Sequence, residues 1–310
     1  MRLPITQSEF FVICPACGSG AGSGTGLLDD FFYGKQLTCD KCGTSTDAWK
    51  AYLATLNHPV PFLFDTASIL VGYKSVFFDI ELVAGEVLDL KMSDYGVPTG
   101  SRLIRRNYTP QGLGVFPVEL HGNEALVQRG GDQIILYGRP FPPDHAQKIS
   151  SPSPVKTTIG VMVTFAEQND VDEQAKDALG RAFLALSQNE LADMVIPAIV
   201  AIEFACKRLI NDTKSIIGSL SDGVKDKDIL SEVVPHISAA FDVPPLDTDI
   251  CKKVARLWGQ RDNVSHTGRL HQPYLKENAA TQLAAAVFAF RYLMLLRLVG
   301  ESKEIILRPD

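Results

Sequence analysis

Four of the six cysteines fall into two matched knuckles, Cys14-Pro-Ala-Cys17-Gly and Cys39-Asp-Lys-Cys42-Gly, with residues 18–38 between them. Thiolates are soft ligands, and two C-x-x-C pairs, each turn completed by a glycine, suit one tetrahedral Zn2+. Cys14, Cys17, Cys39 and Cys42 are therefore the expected metal ligands. Four protein ligands leave no open coordination position, so the expected zinc is structural. A redox dithiol would be one C-x-x-C beside a βαβ pattern, and the matched pairs argue against it. Cys206 and Cys251 stand alone and read as core residues.

The second group lies in Asp249-Ile-Cys-Lys-Lys-Val-Ala-Arg-Leu-Trp-Gly-Gln-Arg261-Asp262-Asn263-Val264-Ser265-His266-Thr267-Gly268. At about 100° per residue, Ile250, Val254, Leu257 and Arg261 share one stripe, which sets a guanidinium on the apolar face. Arginine seldom enters such a face unpaired, and this points to a subunit contact or a pocket where a carboxylate or phosphate meets it. Asp262 and His266 are neighbours four apart, so the carboxylate can orient the imidazole. Arg261 and His266 diverge by about 140°. They converge on one phosphate only if the helix loosens between Ser265 and Gly268, or if two copies of the chain pool their residues.

Arg261-Asp262-Asn263-Val264-Ser265-His266 resembles the R-x4-6-H motif of HEPN domains, in which a polar residue usually follows the arginine. The helical order from about Asn169 to Val299 is similar too, with the motif helix near the end and a long apolar helix closing the domain. The resemblance implies a homodimer with facing motif helices and, as in many HEPN proteins, a metal-independent ribonuclease. His266 would then be the general base or acid at a ribose 2′-OH, a role suited to an imidazole that titrates near neutrality. Arg261 would bind the scissile phosphate and stabilise its growing charge, Asp262 would position its neighbours, and Asn263 would touch substrate. Attack by the 2′-OH cuts RNA and spares DNA. Such architectures resemble toxin or phage-defence effectors held in check until a signal arrives.

These groups need elements to hold them. The Gly18–Gly26 run and the following Asp30-Phe-Phe-Tyr read as loop and hairpin within a zinc ribbon at 1–56, a docking or nucleic-acid module. Short β-rich runs, Lys74–Leu82, Glu86–Met92, Leu113–Leu120, Gln133–Tyr137 and Thr157–Phe165, predict an antiparallel sandwich or barrel at 57–166, interrupted by a proline- and serine-rich loop from Pro142 to Pro154. Helical periodicity then runs through 167–303. Helices are predicted from Asp170 or Asp172 to Ser187, Glu190 to Leu220 with a kink at Pro197, Asp228 to Phe241, from Asp247 through the motif to Gly268, and Leu275 to Val299 before Gly300. The expected fold class is multidomain α+β, with an HEPN-like antiparallel bundle at its C-terminal end.

Length and charge are compatible with this division. At 310 residues the chain is too long for one small module, and 45% apolar with 21% charged residues is a globular composition. A net charge of −6 gives no global field for nucleic acid, so contact with RNA would depend on local patches. Arg291 and Arg297 interrupt the most apolar stretch, and no leader pattern opens the sequence, so no membrane partner is expected and the expected compartment is the cytoplasm. No phosphate loop, G-x-S-x-G elbow or H-E-x-x-H is present. Arg102, Arg105 and Arg106 beside Asn107 and Tyr108 read as a solvated strand edge or a small phosphate-and-stacking patch, and His271 as a loop residue or a second histidine beside the cleft. His58, His121, His145 and His236 have no ligand-like spacing. The rival to the enzyme is a non-catalytic dimeric adaptor or sensor, in which the N-terminal parts bind a protein or nucleic-acid trigger and Arg261 forms an intersubunit salt bridge.

Overall fold

Contacts in the computed structural model divide the chain into two compact units, one of residues 1–8 with 73–170 and one of 9–72 with 171–310. Residues 11–23, 26–56, 73–112, 114–120, 133–140, 155–167 and 172–303 are described. The cysteine segment thus folds with the helices, where the sequence suggested a separate ribbon. His58, His121, His145 and the Pro142–Pro154 loop lie outside the described residues.

Two hairpins carry the cysteines, β1 (Phe11–Ile13) with β2 (Gly20–Ser23) and β3 (Leu37–Thr38) with β4 (Ser45–Thr46). Each hairpin is followed by a helix, α1 (Gly26–Phe32) and α2 (Ala48–Leu56). Asp30–Phe32 were expected in a hairpin or strand and are instead helical. Leu28, Phe31 and Phe32 stand at i, i+3 and i+4, so a helix puts all three on one face, where Leu28 and Phe32 are buried.

The 73–170 unit holds two three-stranded antiparallel sheets. β5 (Lys74–Val83), β10 (Lys156–Ala166) and β7 (Arg102–Pro110) make one, in the order β5-β10-β7. The order β6-β9-β8 makes the other, from β6 (Val87–Lys91), β9 (Gln133–Pro140) and β8 (Val115–Glu119). Neither closes into a barrel. Val76, Ile80, Leu90, Val115, Ile134, Leu136, Ile159, Val161 and Val163 form one core from both sheets, alternating with outward residues as the pleat requires. β7 carries the arginines that the sequence offered as a strand edge, and it pairs with β10 from Ala166↔Arg102 to Ile159↔Pro110. Gly138 is needed where β9 passes β5, since a Cβ there would lie 2.1 Å from the Val83 carbonyl oxygen. Gly138→Ala is expected to cost about 1–3 kcal/mol by forced displacement, read as a lower urea midpoint with unchanged slope.

The helical part comprises α3 (Glu173–Ser187), α4 (Leu191–Asp212), α5 (Val234–Phe241), α6 (Thr248–Thr267) and α7 (Lys276–Ser302), with single turns at Lys214–Ile217 and Ile229–Glu232. α4 keeps Pro197 within it but stops before Leu220, where the buried Thr213 hydroxyl donates to the Leu209 carbonyl at 2.6 Å. The helix expected over Asp228–Phe241 is broken at Val233, because Pro235 has no amide to continue the ladder. α7 runs through Gly300 and is buried on nearly every side from Leu283 to Phe290, as a central core helix should be. Among the described residues it alone is long and apolar enough to cross a membrane, and 78% of its most apolar stretch is buried inside the protein.

Arg297 of α7 is buried and fully engaged. Its Nη1 donates to both Asp172 oxygens at 3.0 Å and its Nε to Asp212 Oδ2 at 2.8 Å, tying α7 to the start of α3 and the end of α4. Asp172 makes no side-chain cap for α3 because its carboxylate is committed to this pair. Arg297→Ala would take the guanidinium away from the buried Asp172 and leave Asp212 with Arg208 at 3.8 Å, and is expected to cost about 3–5 kcal/mol in equilibrium unfolding.

Candidate functional site

The two knuckles have the same backbone solution. Gly18 N–H donates to the Cys14 carbonyl at 2.9 Å and Gly43 N–H to the Cys39 carbonyl at 2.8 Å, with φ of 69° and 70° at the two glycines. A β-carbon disfavours that left-handed geometry, so glycine follows each pair for a steric reason. The turns aim four sulfurs at one point, all within 4.8 Å of one another, with Cys14–Cys42 and Cys17–Cys39 at 3.7 Å. A tetrahedron with metal–sulfur bonds of about 2.3 Å has edges of about 3.8 Å, so the group could hold a metal ion such as zinc. Cys14 and Cys39 are buried, Cys17 and Cys42 exposed. The Thr44 hydroxyl, 3.2 Å from Cys42 Sγ, and the Thr44 amide bring the Cys42 thiol down to about 6, while the Ser19 amide and hydroxyl lower Cys17.

Aromatic packing joins this module to the helices. Phe288 of α7 meets Phe31 at 5.5 Å, Trp49 at 4.9 Å and Tyr52 at 5.5 Å between ring centroids, the first two edge-on. Trp49 Nε1 also donates to Asp249 Oδ2 in the first turn of α6 at 3.1 Å. Asp29 of α1 faces Arg291 of α7, with burial raising its carboxyl against the pull of the arginine. One metal per chain is expected by elemental analysis. Cys39→Ser, or removal of metal by a strong chelator, should lower the thermal midpoint of this unit and shift Trp49 emission to the red.

The motif helix α6 opens as the sequence predicted, with Asp247 accepting from the Asp249 amide at 2.7 Å. It closes at Gly268, whose φ is 67° and whose N–H donates to the Val264 carbonyl at 2.8 Å. Ile250, Val254 and Leu257 are buried, and Arg261 continues their stripe with its side chain 37% exposed. Its Nη2 lies 3.4 Å from Glu203 Oε1 of α4, its Nη1 donates to Asp262 Oδ1 at 3.0 Å, and its guanidinium sits 5.5 Å from the centre of the Trp258 ring. Asp262 therefore turns to Arg261, where orientation of His266 was expected. His266 is exposed and makes no hydrogen bond or ion pair with another described residue. Asn263, expected at substrate, is occupied locally, donating to the Arg269 carbonyl at 2.5 Å. Gln260 Oε1 accepts from the His271 amide at 2.8 Å, so this loop is folded back along α6.

Glu203 and Trp258 were missed as partners of Arg261. Trp258 was visible as an aromatic three residues earlier on the helix, but Glu203 is brought in only by the packing of α4 on α6. In the other unit, Arg106 pairs with Glu119, Tyr108 O–H donates to Glu119 at 3.0 Å, and Arg105 donates to Asn107 at 3.2 Å. β7 thus spends its polar side chains largely on pairing with one another and with β8. No family model, curated protein or solved structure matches the chain. Because the Arg261–Glu203 pair is partly open to solvent, Arg261→Ala is expected to cost about 1 kcal/mol or less in chemical denaturation.

Proposed function

We propose that the protein is a metal-independent endoribonuclease of the HEPN kind that works as a homodimer, with a structural Zn2+ held by Cys14, Cys17, Cys39 and Cys42. The observation that carries the reading is a partly exposed arginine on the apolar stripe of α6, with an exposed histidine further along the same helix that has no hydrogen bond or ion pair among the described residues. α6 is helical without a break through Thr267, so the two side chains of one chain diverge, which supports a site shared by two chains.

In that site His266 takes the proton of a ribose 2′-OH. The freed oxygen attacks the adjacent phosphorus, the bond to the 5′-oxygen breaks, and an imidazolium returns a proton to the leaving oxygen. Arg261 swings from Glu203 to the phosphate and balances the charge that grows on its oxygens. Asp262 holds the guanidinium in register. The products are a 2′,3′-cyclic phosphate and a free 5′-hydroxyl. A role as a toxin or defence effector in the cytoplasm, restrained until the N-terminal parts meet a protein or nucleic-acid trigger, belongs to the same reading.

One observation favours the adaptor instead. Arg261 already has two carboxylate partners, so it can serve as a purely structural ion pair. The test is cleavage of labelled RNA in EDTA, with zinc content monitored throughout. Arg261→Ala and His266→Ala are each expected to reduce cleavage by about 10²–10⁴-fold while the fold is retained. Cleavage that persists in both variants, or that requires added magnesium, contradicts the proposal.

A further inference from the structure

Most of the cations in the described ion pairs are neutralised locally. Lys35 is with Asp30, Lys50 with Asp47, Lys74 with Glu167 and Lys207 with Asp226, while Arg106 and Arg297 are held by acids of their own units. The outer face of α6 gathers several cations on one side of a single helix. At about 100° per residue, Lys252, Arg256, Gly259, Asn263 and His266 fall in one sector opposite Ile250, Val254 and Leu257, and Arg269 follows the Gly268 cap. Lys252, Arg256, His266 and Arg269 are exposed, and none is ion-paired with another described residue.

The helix carries two acids, of which Asp249 also feels the charge of Lys252. Asp249 accepts from Trp49 and pairs with Lys253, and Asp262 pairs with Arg261. The middle of the face is small and uncovered, for a Cβ on Gly259 would meet nothing within 4 Å. From Lys252 to His266 the helix rises about 21 Å. One phosphate cannot span that length, so the ligand that uses the whole face is a chain of phosphates.

We propose that this face of α6 is a track for the phosphate backbone of single-stranded RNA, leading the strand to His266. The proposal rests on the ribonuclease reading and adds the surface that would seat its substrate. Lys252 and Arg256 bind the backbone as charges, and the gap at Gly259 lets the strand approach the helix closely.

The test uses the full zinc-loaded chain and a labelled, 2′-O-methylated single-stranded RNA oligomer, which cannot be cut by its own 2′-oxygens. Binding is followed by fluorescence anisotropy across a salt series. Lys252→Glu with Arg256→Glu should weaken binding at least about tenfold and flatten the salt slope by about 1.4, the loss of two phosphate contacts. The milder Lys252→Gln with Arg256→Gln should show a smaller loss of the same kind with an unchanged thermal midpoint. Unaltered affinity in both double variants, a loss that follows Arg105→Glu instead, or failure of the wild type to bind RNA overturns the track. Charge-dependent binding by a protein that cuts no RNA leaves the track standing and removes the nuclease. Normal cleavage and binding by the Lys252 and Arg256 variants does the reverse.

Discussion

A guanidinium on an apolar helix stripe needs an anion, and the reading of this protein turns on which anion Arg261 meets. In the described chain that need is met by Glu203 from α4 and by Asp262 from the next residue, with the Trp258 ring beside it. The arginine stays partly exposed, and both carboxylates are open to solvent to some degree. Charge pairs of this kind are weak, so a phosphate, with its higher charge, can compete for the same fork. Arg297 has the opposite design. Buried and chelated by Asp172, it is a fixed strut between α7, α3 and α4, and nothing about it invites exchange.

The same helical unit explains why the cysteine module stays with the bundle. A two-knuckle segment has little core of its own, and Phe31, Phe32, Trp49 and Tyr52 find theirs around Phe288 and Tyr292 of α7. The Trp49–Asp249 hydrogen bond extends that contact to the first turn of α6. The cysteine segment, the core helix and the start of the motif helix therefore meet through Trp49.

Local signals were legible in the sequence wherever chemistry is set by neighbours. The four cysteines, the Asp247 cap, the Gly268 stop and the stripe ending in Arg261 were each readable because spacing alone decides them. What could not be read depends on distant partners. α1 is a helix because Phe288 offers its face a place to bury, Glu203 reaches Arg261 only through helix packing, and β7 pairs with β10 across the 45 residues 111–155. Asp262 had two possible neighbours, and the structure gives it to Arg261. Asn263 looked free for substrate because the fold-back of residues 269–271 along α6 leaves no periodic trace.

In the proposed nuclease the arginine and the histidine act together only across two chains. Mixing Arg261→Ala chains with His266→Ala chains tests it directly, because a mixed dimer rebuilds one intact pair from two inactive parents. Cleavage is expected to return to about a quarter of the wild-type rate, since half the dimers are mixed and each regains one of two sites. A mixture that exchanges subunits yet stays inactive contradicts it.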